Sequence, residues 1–178
     1  MPSVQALRRA SDSPGYPLVQ GTPEVRSAIQ NWMARRGMVA VGPDGVVPTT
    51  GSKEMVAWLP KILGIGPGDA VLFPDIAYPT YRVGAVLAGA EPIPVTTTDV
   101  STWPEHAKLV WLNTPANPSG QVMSADELRA AISWAKDHDA VVVSDECYAE
   151  LDWSEKRVQS LLGEEVCSGD PTNLLVVY

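Results

Sequence analysis

The chain has 178 residues, 45% hydrophobic and 19% charged, with 13 Lys and Arg against 21 Asp and Glu, a formal charge of −8. A chain of this size buries roughly 70% of its unfolded surface, so the composition excludes both a disordered segment and a disulfide-stapled miniprotein. The acidic balance, with basic residues scattered apart from short doublets such as Arg8-Arg9 and Arg35-Arg36, excludes nucleic acid as the main partner. Apolar runs such as Ala140 to Val143 and Leu174 to Tyr178 are of strand length, far below the roughly 20 residues that a spanning helix needs, so no membrane partner is expected. Met1-Pro2-Ser3 lacks the apolar run of a signal peptide, and two cysteines, Cys147 and Cys167, point to a reducing cytoplasm.

In chain order, the first helix has Thr22 as N-cap, Pro23 at its first position and Glu24 in its first turn. It then carries Val25, Ile29, Trp32 and Met33 on one face and ends at Gly37. A second helix runs from Ser52 toward Leu63 and stops at Gly64. Pro60 removes a backbone donor and clashes with the preceding turn, which predicts a bend or break there. A strand over Ala70 to Phe73 follows, then a helix after Tyr78-Pro79 that ends near Gly89, and strands over Ile93 to Val95 and Leu109 to Leu112. Ser124-Ala125-Asp126-Glu127 is a capping box opening a helix that carries Leu128, Ala131, Ile132 and Trp134-Ala135 toward His138. Strands over Ala140 to Ser144 and Leu174 to Tyr178 complete the series. Helices alternating with continuous apolar runs predict an α/β fold of three layers, a mainly parallel sheet covered by helices on both faces. Both ends read as unfinished, because a buried strand at Tyr178 would leave a hydrophobic edge, so the chain is expected to be part of a larger protein.

Four segments carry candidate chemistry. Thr49-Thr50-Gly51-Ser52-Lys53-Glu54 places small residues where a strand is expected to hand over to a helix. It is either a plain N-cap by Thr50 or Ser52, or a turn whose free N–H groups and helix dipole hold a phosphate. Lys53, in the first helical turn, reads as a solvated charge or a phosphate neighbour rather than a nucleophile. Asp75 to Tyr81 follows a strand and so lies at the carboxyl edge of the sheet, where open α/β sheets bind ligands. Its tyrosines either stack on a flat ring or pack against loops. Asn113-Thr114-Pro115-Ala116-Asn117-Pro118-Ser119-Gly120 holds two prolines in eight residues, and Pro118 keeps Asn117 extended, so its amide is presented rigidly to a ligand oxygen. Ser144-Asp145-Glu146-Cys147-Tyr148 puts two carboxylates where a strand leaves the sheet. A buried carboxylate needs a donor or a cation, and a protonated heterocyclic nitrogen would serve; the plain alternatives are a capping aspartate and a surface glutamate. Cys147 reads as a buried, inert thiol. His106 and His138 belong to no ligand spacing, so no metal is expected and both read as solvated, and no G-x-S-x-G turn supports a serine hydrolase.

These segments resemble, in order and spacing, the pyridoxal-phosphate aminotransferases of fold type I, classes I and II. Gly15-Tyr16-Pro17 with Gly21-Thr22-Pro23-Glu24-Val25-Arg26 is similar to the family's Y-P-x-x-x-G-x-x-x-L-R, with Val25 in the leucine position. Asn113 to Gly120 resembles N-x-P-x-N-P-T-G, with Ser119 replacing threonine, and Ser144 to Tyr148 resembles S-D-E-x-Y. Gly51-Ser52-Lys53-Glu54 with Ala57-Trp58-Leu59-Pro60, and Ala77-Tyr78-Pro79-Thr80-Tyr81, look closer still to the actinobacterial succinyldiaminopimelate aminotransferases.

The resemblance implies that backbone amides of Gly51, Ser52 and Lys53 hold the phosphate of pyridoxal phosphate and that Tyr78 stacks on its ring. It implies that Asn117 and Tyr148 bond the ring's phenolic oxygen, that Asp145 pairs with the protonated ring nitrogen, and that Tyr16 reaches the phosphate of a partner subunit in a homodimer. Asp145 and Tyr148 are the catalytic candidates. It further implies that residues 1–37 lead into the cofactor-binding large domain, that 38–178 form part of that domain, and that a C-terminal small domain is absent. The implied reaction moves an amino group between glutamate and N-succinyl-2-amino-6-ketopimelate. In the family an S-x-x-K segment after the strand resembling Leu174 to Tyr178 supplies the Schiff-base lysine. None of Lys53, Lys61, Lys108, Lys136 and Lys156 matches it, so the chain as it stands is expected not to complete a transamination. Another fold-type-I aminotransferase or lyase would share these cofactor residues, and a non-catalytic module with a degenerate site is the alternative outside enzymes.

Overall fold

The computed structural model describes residues 1–153 and 157–178, so Lys156 lies outside the described residues. Strands β1 (Ala70–Pro74), β2 (Glu91–Val95), β3 (Ala107–Asn113), β4 (Val141–Asp145) and β5 (Leu174–Val177) pair in parallel as one sheet, in the order β2-β1-β3-β4-β5. The helices are α1 (Pro2–Ala10), which buries no residue, and α2 (Pro23–Arg35), α3 (Ser52–Ile62), α4 (Thr80–Ala88), α5 (Ala125–Asp137) and α6 (Glu164–Cys167), which supply buried side chains to the core on its two faces. Side chains alternate across a strand, and here both faces are apolar. Leu72, Val110, Leu112, Val142 and Leu174 cluster with Met33 of α2, Leu128, Ala131 and Ile132 of α5, and Val166 of α6. Val71, Phe73, Leu109, Trp111 and Val143 cluster with Val56 and Leu59 of α3 and with Tyr81 and Ala85 of α4. Burial on both sides is why the central strands read as unbroken apolar runs, each fully buried Val or Leu being worth about 1.5–3 kcal/mol over its exposed state.

Two expected helix starts form as read. Thr22 accepts the Val25 N–H at 3.3 Å. In α5 both limbs of the capping box close: Glu127 N–H donates to Ser124 Oγ at 3.3 Å, and Ser124 N–H donates to Glu127 Oε2 at 2.7 Å. Of the apolar face expected on α2, only Met33 is buried; Ile29 and Trp32 are half-buried and Val25 is exposed.

Elsewhere the structure differs from the expectation. The edge strand β2 is only partly covered, and its Pro92 and Pro94, which cannot donate to a second neighbour, suit that edge position. No strand precedes α3, since residues 46–50 are irregular, and α1, with no buried residue, had no counterpart in the reading. His106 is exposed beside Glu91, but His138 is half-buried and stacked on Trp134 with ring centroids 4.1 Å apart. Among the described residues no helix is long and apolar enough to cross a membrane.

Helix α3 also runs through Pro60 as one element rather than breaking. Pro60 lies in the last turn, so the only intrahelical bond it removes is the one to the Val56 carbonyl, and the chain closes the end with Leu63 N–H to Leu59 O at 3.0 Å and Ile65 N–H to Pro60 O at 3.0 Å. The Val56 carbonyl faces Gly84 of α4, where a Cβ would lie 2.9 Å from Val56 O and 3.0 Å from Ala57 O. Glycine at 84 is therefore what lets the two helices approach. Gly84→Ala should destabilise the chain by about 1–3 kcal/mol, seen as a fall of several degrees in Tm. Gly66→Ala, whose nearest neighbour would be Ala88 O at 3.7 Å, should stay within about 0.5 kcal/mol. Equal Tm values for the two variants would rule out this close approach.

Candidate functional site

Parallel strands deliver their carboxyl ends to one edge of the sheet, and loops leaving that edge build its clefts. Asn113 ends β3, Asp145 ends β4, and the two are register partners. Beside them opens a cleft of about 210 Å³ whose walls include Ser52, Lys53, Tyr78, Asn117, Asp145 and Tyr148. Six of the eight residues singled out in the sequence thus share one cavity. Gly51 directly precedes Ser52. Tyr16 stands apart and is fully exposed.

Asp145 is 6% exposed. Tyr81 donates its phenolic O–H to Asp145 Oδ2 at 2.9 Å, and the Cys147 N–H donates to Oδ1 at 3.3 Å. Among the described residues no lysine, arginine or histidine pairs with this carboxylate. Burial first, and Asp145 second, push Tyr81 well above the usual phenol range, so it remains a donor.

The loop after β3 is held by one buried amide. Asn113 Nδ2 donates to the Asp145 carbonyl at 2.9 Å and to the Pro115 carbonyl at 3.2 Å, while its Oδ1 accepts the Asn117 N–H at 2.7 Å. Thr114 N–H adds a bond to the Asp145 carbonyl at 3.1 Å, and Thr114 Oγ1 accepts Met123 N–H at 3.0 Å. Both X-Pro peptides of the loop are cis.

At the other wall, α3 begins on Gly51 as N-cap with φ +87°, and no side chain caps its first N–H groups. The plain capping reading by Thr50 or Ser52 is therefore wrong; glycine occupies the left-handed backbone conformation and leaves the helix donors free. Lys53 is exposed at this end of the cleft, and Tyr78 is half-buried with its ring edge-on to Tyr81, centroids 6.1 Å apart.

Two readings of the Asp145 segment are corrected. Glu146 is not a surface residue but 0% exposed: its Oε1 accepts Leu161 N–H at 2.8 Å and Ser160 O–H at 3.2 Å, and its Oε2 accepts the Tyr178 O–H. Side chains alternate along the strand, so Asp145 faces the α3–α4 side and its neighbour faces the opposite core. Cys147 is exposed at the cleft rather than buried. Partial burial first, and Asp145 second, push its thiol up to about 12, which disfavours the thiolate at neutral pH.

Sequence reasoning missed Tyr81, Asn113 and Glu146. Tyr81 lay in a segment already singled out, three residues after Tyr78 and so on the same side of the turn into α4. The asparagine doublet and the Asp-Glu doublet were visible too, but not which member would turn inward.

The family profile "Aminotransferase class I and II" matches residues 3–178. A 4-dedimethylamino-4-oxo-anhydrotetracycline transaminase of Streptomyces rimosus is 49% identical over 173 residues, covering 97% of this chain and 48% of that protein. Aminotransferase AspB of Helicobacter pylori superposes with a TM-score of 0.85 at 25% identity, over 97% of this chain and 49% of that one. N-Succinyldiaminopimelate aminotransferase of Mycobacterium tuberculosis superposes with a TM-score of 0.76 at 29% identity, over 90% and 45%. The chain spans about half the length of the curated relatives it matches.

Burial raises the Glu146 carboxyl above its usual range despite its three donors. The folded state then keeps a proton that the unfolded chain has already released. The stability this group contributes is full below the ordinary carboxyl pKa and is lost as pH rises through its raised value. In urea unfolding at a series of pH values, Glu146→Gln should flatten this decline relative to the parent; parallel curves would mean that Glu146 does not titrate as described.

Proposed function

The chain belongs to the class I and II aminotransferase family, and on that premise we propose that it forms the cofactor-holding part of a transaminase. The family depends on pyridoxal phosphate, which when bound serves as an electron sink for a substrate's amino carbon. The observation that carries the reading is the Asp145 carboxylate, 6% exposed, facing the cleft and held by neutral donors alone among the described residues. Leaving a buried anion without a cation costs several kcal/mol, and a protonated ring nitrogen offsets that cost. The donor set fits the rest of the cofactor as well. The uncapped N–H groups at Gly51, Ser52 and Lys53, at the positive end of α3, suit a phosphate. Tyr78 offers a ring face, and the Asn117 amide and Tyr148 hydroxyl, both lining the cleft, suit the ring's phenolic oxygen.

In this reading residues 38–178 belong to the large domain and residues 1–37 lead into it. Tyr16, free of this chain's own cleft, reaches the phosphate of the partner subunit in a homodimer, and the two free cysteines agree with a cytoplasmic protein. Amino and keto acids are the substrates, and likeness to the M. tuberculosis enzyme supports an exchange between glutamate and N-succinyl-2-amino-6-ketopimelate. The S. rimosus relative supports a second acceptor, a ring ketone of an anhydrotetracycline. Assaying the complete protein against both ketones separates the two.

Asp145→Ala in the complete protein should lower turnover by about two orders of magnitude or more, read as keto-acid formation under saturating cofactor. Near-normal turnover would remove Asp145 from this role. Tyr16→Phe should speed cofactor loss in the assembled dimer and leave an isolated monomer unchanged; equal loss from both would contradict the cross-subunit contact.

A further inference from the structure

Tyr81 is 1% exposed and held on two sides by aromatic rings, Trp111 at 5.1 Å between centroids and Tyr78 edge-on at 6.1 Å. Packing alone would be served by phenylalanine. The hydroxyl instead reaches across 64 positions of sequence to Asp145 Oδ2 at 2.9 Å. Because one rigid side chain touches both Tyr78 and Asp145, it sets the spacing between the ring platform and the carboxylate. The kind of donor matters as well. A lysine or histidine in that place would neutralise the carboxylate, whereas a bare apolar wall would leave Oδ2 unbonded and free to rotate. A phenol satisfies the oxygen's hydrogen-bonding capacity without cancelling its charge, and its own proton is held fast by burial. With the Cys147 N–H on Oδ1, the two donors fix the carboxylate plane and leave its remaining lone pairs for the cleft.

We infer that Tyr81 is a positioning residue that makes this cleft prefer a protonated nitrogen heterocycle over a neutral ring of the same shape. The inference rests on the reading of Asp145 as the partner of the ring nitrogen. It adds a second residue, which acts on the ligand only through Asp145.

The test is a binding measurement on the complete protein with two probes. One is deoxypyridoxine phosphate, which keeps the pyridine ring and the phosphate but has no aldehyde to react with a lysine. The other is its counterpart with C–H in place of the ring nitrogen. Calorimetric titration near neutral pH gives the ratio of the two affinities for the parent, Tyr81→Phe, Asp145→Asn and the double variant. The parent should favour the pyridine probe. Tyr81→Phe should cut that preference about tenfold while leaving the affinity for the carbocyclic probe within about twofold, as expected for one hydrogen bond to a charged group. The double variant should be no worse than Asp145→Asn alone, because Tyr81 acts through that carboxylate. An unchanged ratio in Tyr81→Phe, with Asp145→Asn abolishing the preference, would overturn the role of Tyr81 and leave that of Asp145 standing. An unchanged ratio in Asp145→Asn would overturn the reading of Asp145 and this inference with it. A uniform loss for both probes in Tyr81→Phe would reduce Tyr81 to a packing residue and overturn the inference.

Discussion

The bond from the Asn113 amide to the Asp145 carbonyl, 2.9 Å long and buried between the ends of β3 and β4, is the contact on which the cleft depends. It joins the Thr114 backbone N–H on the same carbonyl, so the two loops that leave the sheet there begin from a common fixed point. The same amide accepts the Asn117 N–H at 2.7 Å and donates to the Pro115 carbonyl. One side chain therefore determines where the loop after β3 turns and where the backbone of Asp145 sits. Satisfying every hydrogen-bonding atom of a buried amide is what makes such an arrangement rigid, since any movement would strand a donor or an acceptor.

From that fixed point, strand alternation sends two neighbouring carboxyl groups in opposite directions with opposite electrostatic outcomes. Asp145 turns to the α3–α4 side and borders the cleft, where a cationic ligand can meet its charge. Glu146 turns into the opposite core and accepts from Tyr178, whose ring packs edge to face on Trp32 with centroids 4.6 Å apart. There burial favours the neutral acid. The three donors that Glu146 receives tie Tyr178, directly after β5, and residues 160–161 to the end of β4, so it anchors the backbone on one face while Asp145 presents a charge on the other.

Much of this was legible in the amino-acid sequence. Thr22-Pro23 and Ser124 to Glu127 marked helix starts through cap chemistry that acts within four residues, and the apolar runs marked strands because both faces of the sheet are covered. The resemblance brought together Ser52, Lys53, Tyr78, Asn117, Asp145 and Tyr148, which the fold then collects in one cleft. The misses have physical causes. Pro60 reads as a helix breaker in isolation, but in the last turn it removes a single bond, and Gly84 on another helix makes room at the freed carbonyl. Pro92 and Pro94 leave β2 at the sheet edge, a position that strand composition alone does not specify. The surface alternative for Glu146 stayed open in the sequence because nothing near it shows that Ser160, Leu161 and Tyr178 would surround it.

What the sequence determined by itself was local and periodic. It determined most of the helix and strand segments and the caps at Thr22 and Ser124, since these follow from interactions spanning a few residues. Tertiary structure alone decided which of two adjacent polar residues faces a ligand and which faces the core. It also decided that Tyr81 meets Asp145 from 64 positions away, and that Asn113 rather than Asn117 becomes the buried clamp. Those outcomes depend on strand order and register, which bring distant side chains within about 3 Å, and hydrogen bonds are formed only at that range.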